Sequence, residues 1–199
     1  MNCSPVLIVF VRTPYLGTVK KRLAAGVGAF AARRIYIDLA SKLIATVSRC
    51  TPWQTILSVT PNAAVSHGRN WPPGLRKVPQ GYGNLGERME RTFLQFPNQP
   101  VAIIGSDIPG ISNKHIQNAF AVIRSSDFVF GPSPDGGYWL VGVRVGNLAR
   151  GLFQNIRWSS EFALTDTLKN TGLRRVELIE ELNDIDNVED LNQWGAQRS

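Results

Sequence analysis

Residues 101–110 read "VAIIGSDIPG". The run Val101–Ile104 is apolar at every position rather than at alternate ones, the pattern of a strand covered on both faces. It breaks at Gly105-Ser106, and Asp107 follows directly, ahead of Pro109 and Gly110. A carboxylate leaving a buried strand is costly without a partner. This stretch therefore predicts both a sheet sandwiched between other layers and a place where chemistry gathers.

The same grammar recurs on either side. "VLIVFV" (6–11), "TILSVT" (55–60), "DFVFG" (127–131) and "YWLVGV" (138–143) read as strands, with a short one near "LRKVPQ" (75–80) and a last one at "RVELIEEL" (175–182). Between them lie helical patterns. Residues 30–48 place Ile35, Leu39, Leu43 and Val47 on one face, and 85–96 do so with Leu85, Met89, Phe93 and Phe96. Further helices are predicted over 113–125, 147–154 and 160–170, with a short one after "DIDN" (184–187). The segment "RTPYLGTVKKRL" (12–23) and the proline-rich stretch 61–84 read as loops. Strands alternating with helices predict an α/β fold, a three-layer α/β/α sandwich with a mostly parallel central sheet. No repeat, low-complexity tract or linker interrupts it, so one domain over 1–199 is expected.

Hydrophobic residues make up 43% and charged residues 19%, an ordinary globular balance that excludes disordered and fibrous classes. The apolar run 6–11 is too short to span a bilayer, and no small-residue cleavage pattern follows it. Cys3 and Cys50 are too few and too distant for a disulfide framework or a thiolate metal site, so a cytoplasmic location is expected. The formal charge is +7, from 22 Lys and Arg against 15 Asp and Glu. That surplus favours phosphorylated partners. The basic residues come in separated groups without a basic-aromatic stripe, which argues against nucleic acid.

Ligands of open α/β sheets bind beyond the carboxyl ends of the strands. The residues just past each apolar run therefore carry the chemistry. Arg12, Lys20, Lys21 and Arg22 follow the first strand, Asp107 the central one, and Asp184 and Asp186 lie near the end of the chain. Cations beside carboxylates at one edge suit a phosphate-bearing ligand with Mg²⁺ or Mn²⁺: carboxylate oxygens hold the hard cation and basic side chains take phosphate oxygens. Asp186 also starts an Asp-x-x-Glu pattern with Glu189, a capping box for the final helix. The basic stretch lacks the spacing of either nucleotide-binding glycine fingerprint. His67 and His115 are isolated, and Ser106 and Ser159 have no neighbouring histidine, so zinc and serine-triad chemistry are not expected.

"GPSPDGGYWLVG" (131–142) sets Asp135 against Gly136 and Gly137, then Tyr138 and Trp139. The glycines let a backbone bend or a ligand approach closely. Asp-Gly is also a strong hairpin signal, so the segment reads as a turn between two strands. Asp135 is its candidate catalytic group, and Tyr138-Trp139 supplies an aromatic wall with one ring on each strand face.

The motifs "VKKRL" (19–23), "NLGERM" (84–89), "IGSDIPG" (104–110), "GPSPDGGYWLVG" (131–142), "WSS" (158–160) and "DIDNVEDL" (184–191) resemble the rSAM/selenodomain-associated transferase family, in order and across nearly the whole chain. The resemblance implies a GT-A, nucleotide-diphospho-sugar-transferase fold. A more distant similarity links the chain to guanylyltransferases for phospholactate and for the molybdenum cofactor. The chain departs from the family pattern at Lys20-Lys21-Arg22-Leu23, where Lys-Thr-Arg-Leu is usual, and at Asn84, where Asp is usual. Asn187-Val188 stands for Thr-Pro, and the first loop is atypical at Arg12-Thr13 and Tyr15-Leu16.

The leading expectation is a metal-dependent transferase using a nucleoside-diphosphate sugar. Asp107 and Asp186 would be the metal ligands, and Arg12, Lys20, Lys21 and Arg22 would hold phosphates. Asp135 would serve a small-molecule acceptor, with Gly136, Gly137, Tyr138 and Trp139 lining its place. The alternatives are a nucleotidyltransferase joining an NTP to a phosphorylated small molecule, and a non-catalytic nucleotide-binding relic. A homodimer is compatible with any of the three.

Overall fold

The computed structural model describes residues 4–67 and 71–196. Cys3 lies outside the described residues; Cys50 is an exposed free thiol. Seven strands form one sheet: β1 (Val6–Arg12), β2 (Gln54–Thr60), β3 (Arg76–Pro79), β4 (Val101–Ile104), β5 (Phe128–Pro132), β6 (Tyr138–Val143) and β7 (Val176–Leu178). Their order is β3-β2-β1-β4-β6-β5-β7. The pairs β1–β2, β1–β4, β2–β3 and β5–β7 are parallel, whereas β6 runs antiparallel to both β4 and β5. The carboxyl ends of six strands and the amino end of β6 therefore share one edge.

The pleat of β1 shows why the sheet needs cover on both sides. Leu7, Val9 and Val11 face one hydrophobic cluster, and Val6 and Ile8 face another. Helices α2 (Ala29–Ser48) and α5 (Asn113–Val122) close the first face through residues such as Ala40, Leu43, Ile116 and Ala119. Helix α4 (Leu85–Phe93) and the edge of α6 (Ala163–Lys169) close the second, with Met89, Phe93 and Phe153. The fold is a three-layer α/β/α sandwich with a mostly parallel sheet. No helix among the described residues is long and apolar enough to cross a membrane.

Two helices lie where loops are expected. Helix α1 (Lys21–Val27) starts inside the basic stretch, and α3 (Ala64–His67) is a single turn after β2. The glycines flanking α1 hide it, because Gly17 and Gly28 both have positive φ and bracket only seven helical residues. Leu23 anchors α1 in a third cluster with Ala32, Leu39 and Ile185, against which Val188 and Leu191 of α7 (Val188–Ala196) pack. Residues 147–154 form no α-helix; only a 3₁₀ turn, Gly146–Ala149, is present. The last strand is shorter than the apolar pattern implies and ends at Leu178.

Candidate active site

The carboxyl edge gathers three carboxylates from two distant parts of the chain. Asp107 leaves β4, and Asp184 and Asp186 come from the segment before α7. One oxygen from each lies within 4.8 Å of the others. Ile185 explains how the pair reaches Asp107. Its side chain is fully buried in the third cluster, and its N–H donates to the Asp107 carbonyl at 3.4 Å. With Ile185 held inward, the two flanking carboxylates turn outward together.

Lys20 stands among them. Its side chain is 3% exposed, and Nζ lies 2.7 Å from Asp107, 3.2 Å from Asp186 and 4.0 Å from Asp184. The backbone of Lys20 is left-handed, at φ 48° and ψ 52°, and caps α1. That conformation is costly for a side-chain-bearing residue and is kept where the surroundings compensate. Here three ion pairs compensate. Burial alone would lower the ammonium pKa, but the carboxylates, led by Asp107, outweigh it and hold Lys20 above its ordinary value. Arg22 adds an outer contact, 3.2 Å from Asp186, with its side chain 75% exposed.

One ammonium does not neutralise three carboxylates. Burial, then the charges of Asp107, Asp186 and Asp135, push the Asp184 carboxyl up to about 6, against the pull of Lys20. This group binds its proton more tightly folded than unfolded, so its contribution to stability falls as pH rises through about 6. A cluster of oxygen donors with surplus negative charge fits a hard divalent cation, Mg²⁺ or Mn²⁺.

The capping pattern resolves the competing role of Asp186. The Asn187 side chain accepts from the Asp190 N–H at 2.9 Å, and the Asp190 carboxylate accepts from Asn187 N–H at 3.0 Å and Asp186 N–H at 2.8 Å. The box is Asn187-x-x-Asp190, one residue beyond the Asp186–Glu189 register. The Asp186 carboxylate is left to Lys20 and Arg22.

Two clefts meet at this cluster, and Phe10, Leu85, Gly105 and Asp107 line both. The first, about 330 Å³, is polar and basic, with Arg12, Lys20, Arg88, Gln80, Thr18 and Thr60. Gln80 is buried and donates to the Ser58 carbonyl at 2.9 Å, while its own Oε1 accepts from Arg88 at 2.7 Å. Burial, then Arg12 and Arg91, lower the Arg88 pKa. This is a region of crowded positive charge. Tyr36 ties the cleft floor together, accepting from the Arg12 N–H at 2.9 Å and sharing a hydrogen bond with Ser106 at 3.1 Å.

The second cleft, about 240 Å³, is aromatic and acidic. Tyr138, Trp139, Trp158 and Met89 line it with Asp107, Asp135 and Asp184. Tyr138 and Trp139 do point to opposite faces of the sheet, each joined to a different cluster. Trp139 is 3% exposed and donates to the Glu180 carbonyl, so it is more core than wall. Burial raises the Tyr138 hydroxyl pKa.

Asp135 sits in the five-residue turn between β5 and β6, exposed, with its Oδ1 accepting from the Gly137 N–H at 2.9 Å. Gly136, at φ 81°, packs on the segment that carries Trp158: its carbonyl accepts from Leu164 N–H at 2.9 Å. A Cβ at this position would overlap the Glu161 backbone. Gly136→Ala is expected to cost at least about 2 kcal/mol, adding left-handed strain to a backbone clash. A fall in the urea midpoint at unchanged slope would measure it; an unaltered midpoint would show that the turn and the Trp158 segment move apart freely.

Comparison with known proteins gives this edge its context. The family described as "Uncharacterized protein conserved in bacteria (DUF2064)" matches residues 43–160. The chain belongs to this family. No curated protein matches the sequence. A Desulfovibrio desulfuricans G20 protein, named provisionally as a nucleotide-diphospho-sugar transferase, has a similar structure. It is 25% identical with a TM-score of 0.90, over 100% of this chain and 89% of that one. The 4-diphosphocytidyl-2C-methyl-D-erythritol synthase of Anaerococcus prevotii DSM 20548 is 13% identical with a TM-score of 0.63, over 98% and 97% of the two chains. The manganese complex of Rv0371c from Mycobacterium tuberculosis H37Rv is 13% identical with a TM-score of 0.56, over 97% and 98%. The last two likenesses show a shared fold.

Within this family member, the structure brings Asp107, Asp186 and Lys20 together in the carboxylate cluster and sets Arg12 in the basic cleft, with Asp135, Gly137, Tyr138 and Trp139 along the aromatic one, while Gly136 lines neither. It does not bring in Lys21, which is exposed at the start of α1 and outside both clefts, nor Arg22, which touches only the rim through Asp186. Asp184, which the sequence sets at this edge but not among the expected metal ligands, completes the cluster. Gln80 and Arg88 also join the basic cleft; Arg88 lies within the "NLGERM" motif, which gave it no role, and no sequence pattern singles out Gln80.

Proposed function

We propose that the protein is a divalent-metal-dependent nucleotidyltransferase that joins an NTP to a phosphorylated small molecule, built as one transferase domain over 1–199. The observation that carries this reading is the Asp107–Asp184–Asp186 cluster, standing with Lys20 between a basic cleft and an aromatic one. The names of the structural relatives, among them a 4-diphosphocytidyl-2C-methyl-D-erythritol synthase and a cytidylyltransferase, support it. The motifs resembling the rSAM/selenodomain-associated transferases fit the fold of this reading, and the more distant similarity to guanylyltransferases supports its reaction.

The three carboxylates would hold Mg²⁺ or Mn²⁺, which when bound supplies neutralisation of the triphosphate and of the departing pyrophosphate. Arg12 and Arg88 would take triphosphate oxygens in the basic cleft, charge-assisted contacts that orient the α-phosphorus. Lys20 would screen the repulsion between the donor and the acceptor phosphate. An acceptor phosphate oxygen bonds to the α-phosphorus, the α–β anhydride bond breaks, and pyrophosphate leaves with the electron pair. Asp135 would orient the acceptor through its hydroxyl groups.

Glycosyl transfer from a nucleoside-diphosphate sugar is the second reading, favoured by the name of the Desulfovibrio relative. The product tells them apart: ³¹P NMR should show pyrophosphate with an NTP, Mg²⁺ and sugar phosphates, not nucleoside diphosphate from a sugar nucleotide. Asp135→Asn should raise the acceptor KM about tenfold and leave the NTP KM unchanged, as expected where one charge-assisted contact to the acceptor is weakened. Equal acceptor KM values would remove Asp135 from the site. Nucleotide binding without either product would mark a relic.

A further inference from the structure

The aromatic cleft carries a charge asymmetry that the nucleotidyltransferase reading does not require. None of the described residues lining it is a lysine or an arginine, although the chain has 22 of them and the adjoining cleft has three. Its charged groups are Asp107, Asp135 and Asp184. A cation held by the cluster would offset Asp107 and Asp184 but leave Asp135, which lies outside that cluster. Its uncharged polar groups include the hydroxyls of Ser133, Ser159 and Ser160.

The apolar part is equally specific. Gly86 of α4 lies where a Cβ would press on Phe153 and the Trp158 ring, and Gly136 admits the Glu161 backbone. Two glycines on separate elements thus let the 158–162 segment close against the sheet edge. Trp158 in turn meets Tyr138 edge-on at 6.4 Å between ring centroids. The result is a fixed aromatic corner facing a carboxylate, suited to a body with one apolar face and hydrogen-bond donors on the other.

We infer that the aromatic cleft selects an acceptor whose body is a neutral or amine-bearing polyol ring, and rejects bodies carrying a carboxylate or a second phosphate. The inference rests on the nucleotidyltransferase reading for the word acceptor, but the cleft's preference is a binding property that stands by itself. Hydroxyl or ammonium groups donate to Asp135, and the ring's C–H face lies on Tyr138 and Trp158. The single phosphate of the acceptor falls on the Lys20 side of Asp107. An anionic body meets Asp135 where no lysine or arginine lines the cleft; Lys20 reaches only its Asp107 and Asp184 edge, and like charges at close range in a partly desolvated site are repulsive.

The test uses the metal-free full chain and tryptophan fluorescence. The probes are phenyl β-glucoside, phenyl β-glucosaminide and phenyl β-glucuronide, which share one shape and differ in charge. The expected order is glucosaminide, then glucoside, with glucuronide about tenfold weaker than glucoside, which corresponds to 1.4 kcal/mol. Asp135→Asn should reduce that discrimination, and Trp158→Leu should weaken all three probes alike. Glucuronide binding as tightly as glucoside, or no binding of any probe, overturns the inference. Pyrophosphate release with NTP and Mn²⁺ is measured separately. Its absence would overturn the nucleotidyltransferase reading while leaving the probe order to decide the cleft's preference.

Discussion

Lys20→Met should lower the melting temperature by about 6–12 °C in chelator-containing buffer at neutral pH. The shift follows from a loss of about 3 kcal/mol, the low end for breaking a buried ion pair, in a chain of this length. The low end applies because the carboxylates are 30–41% exposed and water can partly screen them once the ammonium is gone. Methionine keeps the length and apolar stem of the side chain, and the left-handed backbone at position 20 stays as strained as before. What changes is charge. Three carboxylates within 4.8 Å lose their shared cation, so Mn²⁺ should restore more stability to the variant than it gives wild type. The deficit should also shrink at pH 5, where Asp184, pushed up to about 6, takes a proton and relieves the repulsion. For Lys20 itself, the raised pKa means its contribution is present at neutral pH and is lost as pH rises through the folded lysine pKa, while on the acid side it fades as its carboxylate partners take protons. Wild-type melting in chelator, or an equal response of both proteins to Mn²⁺, would show that Lys20 does not balance the cluster.

The layered fold was legible because its strands are buried on both faces. Runs such as Val6–Val11 and Val101–Ile104 leave no polar register, so each has one reading. The helix hidden at Lys21–Val27 was not legible, because its stability comes from Leu23 docking on Leu39 and Ile185 rather than from a long amphipathic pattern. A carboxylate at Asp186 satisfies the capping rule as well as Asn187 does, and the tertiary ion pairs of Asp186 with Lys20 and Arg22 leave the cap to Asn187.

The site divides in the same way. Asp107 and Asp135 announced themselves through residues that make no other local sense, a charge after a buried strand and a charge before two glycines. Lys20 was legible as a cation at the right edge but not as a buried one, since burial of its side chain depends on carboxylates 87 and 166 positions away. Gln80 and Arg88 act on the basic cleft through each other and through backbone carbonyls, contacts that leave no mark on a linear sequence.

Asp107→Asn separates a metal ligand from a structural turn. Asparagine keeps the size of the side chain and one carbonyl oxygen, so the backbone path from β4 through the Ile185 N–H contact should persist. Lys20 keeps Asp186 at 3.2 Å, so the apo protein should lose only about 1 kcal/mol, the worth of one partly exposed pair. The effect on ligand response should be far larger. Replacing one of three charged donors weakens a hard cation's hold, and the loss falls hardest where triphosphate and pyrophosphate charge must be neutralised. Turnover should fall at least about a hundredfold, comparable with removing one preorganised electrostatic group from a transition state. A calorimetric Mn²⁺ titration in the presence of a non-hydrolysable NTP analogue should lose its heat, and the nucleotide-dependent rise in melting temperature should vanish with it. A variant that instead unfolds without any ligand would make Asp107 a turn residue, and the cluster would then owe its geometry to packing rather than to cation binding.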